Sequence, residues 1–268
     1  MNLANIVGDI KKIAAEAGRY IMSEYSASGI SGAEQKGLHD FVTHVDTGSE
    51  ELLVKRLGDL VPSAGFIVEE KTSLLKGDQF MWIVDPLDGT TNFIHGIHPF
   101  SVSIALAEKG EVIAGVVLEA SGTETFSAWK NGGAWLNGKK IQVSQNYSLP
   151  LALISTGFPY KDFSRLPGYL KCLEFLMQNT AGIRRMGSAA IDLCYVACGR
   201  FDLFFEYGLN PWDVAAGMLI VKEAGGVISD FSGNDSDIMG KEIIASNAAI
   251  YPDLVKIIRN FMVEGNLR

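Results

Sequence analysis

Several things that would assign a function quickly are scarce in this chain of 268 residues. It has three cysteines, Cys172, Cys194 and Cys198, an odd number with no paired framework. That argues against a disulfide-stapled scaffold and fits a reducing compartment, so a cytoplasmic location is expected. The four histidines, His39, His44, His95 and His98, lack metal-ligand spacing, and with so few cysteines they point away from a zinc site. No run of lysine or arginine occurs, and the formal net charge of -8 removes the simplest electrostatic reason to expect nucleic acid or a membrane as a partner. No segment reaches the roughly 18 consecutive apolar residues of a membrane-spanning helix.

What is present is ordinary globular material, 47% hydrophobic and 20% charged, enough to bury a core without staples. Leu3, Ile6, Val7, Ile10, Ile13, Ala17 and Ile21 recur at helical spacing, which predicts an amphipathic helix and not a signal peptide. Leu52, Leu53, Leu57 and Leu60 predict a second helix. The period then changes. Residues 65–68, 80–84, 101–107 and 112–118 are short runs rich in β-branched and aromatic residues and read as strands. The last two are too close for a helical crossover and form an antiparallel hairpin. A meander follows through Glu124 to Trp129 and the Asn137-Gly138 turn.

A polar stretch from Ser144 to Ser148 before Pro150 places a seam near residue 148. Residues 1–148 read as helices plus a largely antiparallel sheet, and 149–268 as layered α/β, with strands near 152–155 and 201–205 and helices near 166–177, 189–198, 211–224 and 252–262. The halves are expected to form a single compact unit over 1–268. The fold class is therefore α/β, with a mixed α+β first half.

Chemistry concentrates where an apolar strand meets acids. In Trp82 to Phe93, Asp85 and Asp88 flank a turn, and Pro86 keeps Asp85 extended. Their hard oxygen ligands suit Mg²⁺ better than Zn²⁺. Gly89-Thr90-Thr91-Asn92 follows with backbone N–H groups and hydroxyls at the start of a helical turn, an arrangement that favours phosphate. An EF-hand is excluded, because Gly96 stands where its bidentate Glu belongs. Alone, Asp-Pro-x-Asp-Gly is an ordinary turn. Glu69-Glu70, Asp40 and Asp46, and Trp212-Asp213 add acids at other element ends. Each of these also has a bland reading: a solvated strand end for Glu69-Glu70, an N-cap for Asp46, and a dipole-stabilising first-turn acid for Asp213.

Taken together, Asp40 to Asp46, Glu69-Glu70, the Trp82 to Phe93 run, Gly187-Ser188-Ala189-Ala190 and Trp212 to Gly217 leading to Gly225-Gly226 resemble the inositol monophosphatase family of lithium-sensitive, magnesium-dependent phosphatases. The resemblance runs from the first helix to the last. It implies a layered α-β-α-β-α sandwich of the sugar-phosphatase type, and hydrolysis of a small phosphorylated polyol by direct attack of a metal-activated water, with two or three Mg²⁺ ions. By motif position Glu69, Asp85 and the Leu87 carbonyl would hold a first metal, and Asp85, Asp88 and Asp213 a second. Thr90 and Asp46 would activate the water, with Glu69 counted among the catalytic groups. Asp88, Gly89, Thr90, Ser188, Ala189, Glu206, Asp213 and Lys36 would contact substrate. A homodimer is implied as well.

Two features depart from the pattern. Val68 stands where relatives have a small residue, and Gly157 to Gly168 carries no readable specificity signal. Myo-inositol monophosphate is the leading substrate. The same chemistry on fructose 1,6-bisphosphate, a 3′-phosphoadenosine nucleotide or histidinol phosphate is the alternative, and a non-catalytic sugar-phosphate binder the remote one. Cys194, Cys198, Trp129 and Trp135 read as packing residues, and Gly225-Gly226 as a helix stop.

Overall fold

The computed structural model describes residues 1–28, 34–37, 40–70, 79–235 and 238–264, with side chains left aside over 26–28, 34–37 and 40–42. In chain order the first half contains α1 (Leu3–Ser28), β1 (Glu34–Gly37), β2 (Asp40–Val42), α2 (His44–Leu60), β3 (Gly65–Val68), β4 (Phe80–Asp88), α3 (Thr90–Ile94), β5 (Ser101–Glu108), β6 (Glu111–Glu119), β7 (Thr125–Trp129), β8 (Gly133–Leu136) and β9 (Lys139–Ile141). After a short 3₁₀ turn come β10 (Leu153–Thr156), α4 (Leu166–Asn179), β11 (Gly182–Arg184), α5 (Ala189–Ala197), β12 (Leu203–Tyr207), α6 (Pro211–Glu223), β13 (Val227–Ser229), β14 (Glu242–Ser246) and α7 (Tyr251–Met262).

Strands β3 to β9 lie side by side in chain order as a seven-stranded sheet, antiparallel except for the parallel β3–β4 pair. The predicted hairpin is β5–β6. A second sheet has the order β11-β10-β12-β14-β13, parallel over its first three strands and antiparallel over the rest.

Strand alternation builds the layers, because successive side chains point to opposite faces. Trp82, Val84, Val102, Ile104 and Leu106 face Ile10, Ala14, Ala17, Leu53 and Leu57 of α1 and α2. Their neighbours Ile83, Ala105 and Ala107 face the opposite way, onto α5 and α6. On the far side of those helices Phe204, Ile243 and Ala245 of the second sheet close the same core. That sheet's other face, with Ile154, Leu203, Phe205 and Ile244, packs on α4 and α7. The result is the α-β-α-β-α order that the family resemblance implied. Helix α6 is buried continuously from Val214 to Val221, as a helix clamped between two sheets must be.

Several boundaries differ from the sequence reading. Strand β4 does not stop at Val84 but runs through Pro86 to Asp88, with an irregularity between the Asp85–Ser103 and Asp88–Ser101 pairs. Proline is tolerated there because the ladder is already interrupted. Strands β11, β13 and β14 were not expected. β11 and β13 are three residues long, too short for a periodic signal. Gly225 ends α6 at φ +85°, which agrees with the predicted stop. Trp129 and Trp135 stack on each other with centroids 6.0 Å apart, and Cys194 is fully buried while Cys198 is partly exposed at the end of α5.

Candidate active site

The residues singled out in the sequence arrive from five elements at one place. Asp85 and Asp88 come from the irregular end of β4, Thr90 from the start of α3, Asp46 from the first turn of α2, and Asp213 from the first turn of α6. Glu69 follows β3, the parallel neighbour of β4. A cavity of about 490 Å³ opens here, lined by Glu69, Asp88, Gly89, Thr90, Ser188, Ala189, Glu206 and Asp213 among others. Its size suits a small ligand. Lys36 lies on β1, whose side chains fall outside the described set, as does the Asp40 side chain, and His39 is outside the described residues altogether.

Each acid is held by a specific local device. Thr43 is the N-cap of α2, and Asp46, three residues on, completes a capping box: Asp46 Oδ2 accepts from the Thr43 N–H at 2.8 Å and from its hydroxyl at 2.6 Å. Asp46 is thus the partner of the cap and not the cap itself. Its other oxygen, Oδ1, accepts from the Thr90 hydroxyl at 3.0 Å, and that hydroxyl lies equally close to the Leu87 carbonyl oxygen. Asp213 reaches back in the same way, accepting from the Asn210 N–H at 2.7 Å. Asp85 Oδ1 accepts from the Leu87 N–H at 3.0 Å, and Ser49 of α2 donates to the Pro86 carbonyl.

Asp88 crosses to the second half of the chain. Its Oδ2 accepts from the Ser188 hydroxyl at 2.6 Å and the Ala190 N–H at 2.9 Å, so it occupies the N-terminus of α5. Asn92 reinforces this seam by donating to the carbonyls of Pro99 and Met186, both at 2.7 Å. The backbones come close. A Cβ on Gly89, which sits at φ +90°, would lie 3.1 Å from the Gly187 carbonyl oxygen, and one on Gly187 would meet the Arg185 guanidinium at 2.5 Å. No larger residue fits either position without displacing its neighbour.

The electrostatics are those of acids crowded without enough compensation. Burial, then the charges of Glu69, Asp88 and Asp213, raise Asp85 well above the usual carboxylate range. Burial, followed by Asp213, Glu70 and Asp46, does the same to Glu69, whose carboxyl shares a hydrogen bond with Asp85. Burial and the charge of Asp88 push Asp213 up to about 7. Among the described residues no three His, Cys, Asp or Glu side chains form a finished ligand shell. The case for metal therefore rests on donor chemistry and charge. Four mutually repelling carboxylates with a carbonyl nearby are an all-oxygen donor set, a chemistry that suits hard divalent cations better than Zn²⁺.

The family model of the inositol monophosphatase family matches residues 4–262. The chain belongs to the inositol monophosphatase family. An inositol-1-monophosphatase of Mesorhizobium japonicum is 38% identical over 247 residues, covering 92% of this chain and 93% of that protein. The Nus factor SuhB of Pseudomonas aeruginosa is 41% identical over 253 residues, covering 92% and 93%. Among solved structures, the IMPase of Thermotoga maritima superposes with a TM-score of 0.86 at 37% identity, covering 94% of this chain and 96% of that one.

The family is metal-dependent, and membership in it supports phosphatase activity. Three wall elements had escaped the sequence reading. The segment after Gly157, which carried no specificity signal, lines the cavity with Pro159, Tyr160, Lys161, Asp162 and Arg165. Asp192 lies within an otherwise apolar helix, and a lone acid in such a helix was the available signal. Arg185, the third, has no sequence pattern to mark it. Among the described residues no histidine lines the cavity: His44 contacts Glu24 at 3.0 Å and His98 contacts Glu119 at 3.2 Å.

Proposed function

We propose that this chain is a Mg²⁺-dependent phosphomonoester hydrolase that releases phosphate from a small phosphorylated polyol, with myo-inositol monophosphate as the leading substrate. The observation that carries the reading is the convergence of Glu69, Asp88 and Asp213 on a cavity, with the buried Asp85 against Glu69, beside a hydrogen-bonded Thr90–Asp46 pair. Glu69, Asp85, Asp88 and Asp213, with the Leu87 carbonyl, are the proposed holders of two or three Mg²⁺ ions. When bound, such ions supply a Lewis acid that acidifies water and neutralises charge developing on the phosphoryl group.

The chain's own groups supply positioning and proton transfer. The Thr90 hydroxyl carries one proton and has two acceptors at 3.0 Å, Asp46 Oδ1 and Leu87 O. With the proton toward Asp46, a lone pair on Thr90 Oγ is left to take a proton from the attacking water while its own passes to the carboxylate. Asp46 is suited to receive it, because burial raises its pKa while its bonds with Thr43 and Thr90 limit the rise. Ser188, Gly89 and the α5 N-terminus border the phosphate end of the cavity, and Glu206 accepts from substrate hydroxyls. Cytoplasmic location and a homodimer complete the reading. Among the described residues no helix is long and apolar enough to cross a membrane.

Phosphate release from myo-inositol 1-phosphate, fructose 1,6-bisphosphate, 3′-phosphoadenosine 5′-phosphate and histidinol phosphate, with Mg²⁺ and then with excess EDTA, tests this. A Mg²⁺-dependent preference for the inositol ester is expected. A preference elsewhere would move the substrate, and no release from any ester would remove the hydrolase reading. The relatives named Nus factor favour a second reading, in which the chain also serves in the role that name denotes. Asp85→Asn separates the two: hydrolysis should collapse, whereas a role independent of the site should survive.

A further inference from the structure

One face of α2 carries three buried polar side chains where helix packing calls for apolar ones. Positions 46, 49, 50, 53 and 57 follow the spacing of a single helix face, and all five side chains are 0% exposed. Leu53 and Leu57 enter the core that α1, α2 and the first sheet share. Asp46, Ser49 and Glu50 interrupt that stripe, and burying two carboxylates and a hydroxyl costs stability unless each is bonded.

Each of the three bonds to a different piece of the site. Asp46 accepts from the Thr90 hydroxyl at the start of α3. Ser49 Oγ donates to the Pro86 carbonyl at 3.0 Å, and the N–H of that same peptide, on Leu87, donates to Asp85 Oδ1 at 3.0 Å. The Pro86–Leu87 peptide is thereby held at both edges, between the Asp85 carboxylate and the Leu87 carbonyl, two of the proposed cation ligands. Glu50 Oε2 accepts from the Glu70 N–H at 2.8 Å, which fixes the peptide that follows Glu69. Neither Ser49 nor Glu50 lines the cavity.

Helix α2 is itself braced from behind by α1. Gly48 allows a close approach, since a Cβ there would lie 2.2 Å from the Tyr20 hydroxyl oxygen. Toward the other end of α2, the Arg56 guanidinium donates twice to Glu16 of α1, at 2.9 and 2.8 Å. A helix anchored at both ends can hold three backbone segments in fixed relation.

We propose that Ser49 and Glu50 are positioning residues that keep the Leu87 carbonyl and Glu69 aligned for a divalent cation, each by gripping the backbone beside the ligand. The inference rests on the cation-binding part of the hydrolase reading above and adds to it two groups that act only through the ligands. Partners of this kind set the direction of a ligand, and losing one weakens metal binding by about ten- to a hundredfold.

Mn²⁺ binding to the full chain tests this without turnover, with Mn²⁺ standing in for Mg²⁺ and the free ion counted by its EPR signal. Ser49→Ala and Glu50→Ala should each raise the Mn²⁺ concentration for half-saturation by about tenfold or more. Glu50→Gln keeps an oxygen to face the Glu70 N–H and should recover most of the Glu50→Ala loss. Leu57→Val, on the apolar part of the same face, should lower the melting temperature of the metal-free protein and leave Mn²⁺ binding within about twofold of wild type. Ser49→Ala carries the test if Glu50→Ala fails to fold. Unchanged Mn²⁺ binding in either alanine variant, an equal loss in Leu57→Val, or a Glu50→Gln no better than Glu50→Ala would overturn the assignment while leaving the hydrolase reading intact. A wild type that binds no Mn²⁺ would overturn the cation reading itself, and the assignment with it.

Discussion

Helices α2 and α6 begin with the same device and use it for different ends. In each, an Asp at the third helical position turns back to the N-cap backbone N–H, Asp46 to Thr43 and Asp213 to Asn210. In both cases Oδ2 makes the cap, which pins the carboxyl against its own helix. For Asp46, Oδ1 receives the Thr90 hydroxyl, and for Asp213 the carboxyl stands beside Asp88 with its pKa pushed up to about 7. An ordinary helix start thus becomes a rigid mount for a carboxylate oxygen. In the proposed function, the neighbours that the fold brings alongside decide whether that oxygen handles a proton or offers charge to a cation.

The sharpest break of the comparison is Asp213→Asn. The amide keeps an oxygen for the cap but removes the charge, so activity should fall by about three orders of magnitude or more and need higher Mg²⁺ for half-activation, read from Mg²⁺ titrations of phosphate release. Asp46→Asn should cost about a hundredfold in kcat with Mg²⁺ activation unchanged, because it removes a proton acceptor and no proposed ligand. Equal Mg²⁺ shifts in both variants would erase the distinction between the two helix starts.

A smaller effect separates their charges by pH. A carboxyl whose native pKa is about 7, against an ordinary 3.8, binds its proton more tightly in the folded state. Its contribution favours folding below about pH 4 and is lost as pH rises toward about 7. In EDTA the melting temperature should therefore decline across that window, and Mg²⁺ should cancel the decline at neutral pH. A melting temperature that ignores Mg²⁺ would count against the cation role. The smallest effect concerns the caps. Thr43→Ala should cost about 1 kcal/mol, lowering the melting temperature by about 2–4 °C. Asn210→Ala should cost less, because the Asn210 side chain makes only a 3.4 Å contact with Asp213 while its backbone N–H makes the short bond.

Much of this was legible before any coordinates. The long helices, the β5–β6 hairpin and the acids at the ends of elements follow from periodicity, turn chemistry and motif spacing, which are local properties. The rest was hidden for physical reasons. Pro86 suggested the end of a strand, yet β4 continues to Asp88 because the irregularity there removes the need for a ladder bond. Gly157 to Gly168 carried no pattern because its role is to border a cavity whose other walls lie on distant segments. Asp192 was a single polar residue in an apolar helix, a signal that names an anomaly but not its partner.

By itself, then, the sequence determined the alternation that makes α1 and α2 cover one face of the first sheet, the capping residues that begin α2 and α6, and the family to which the motifs belong. Only the tertiary structure decided which oxygen of Asp46 meets Thr90, that Asp88 seats itself on the N-terminus of α5, and that Arg185 stands over the rings of Phe158 and Tyr160. Periodicity and capping act over a few neighbouring residues. The site is made by contacts between residues as far apart as Asp88 and Ala190, and these exist only after both sheets have closed on α5 and α6.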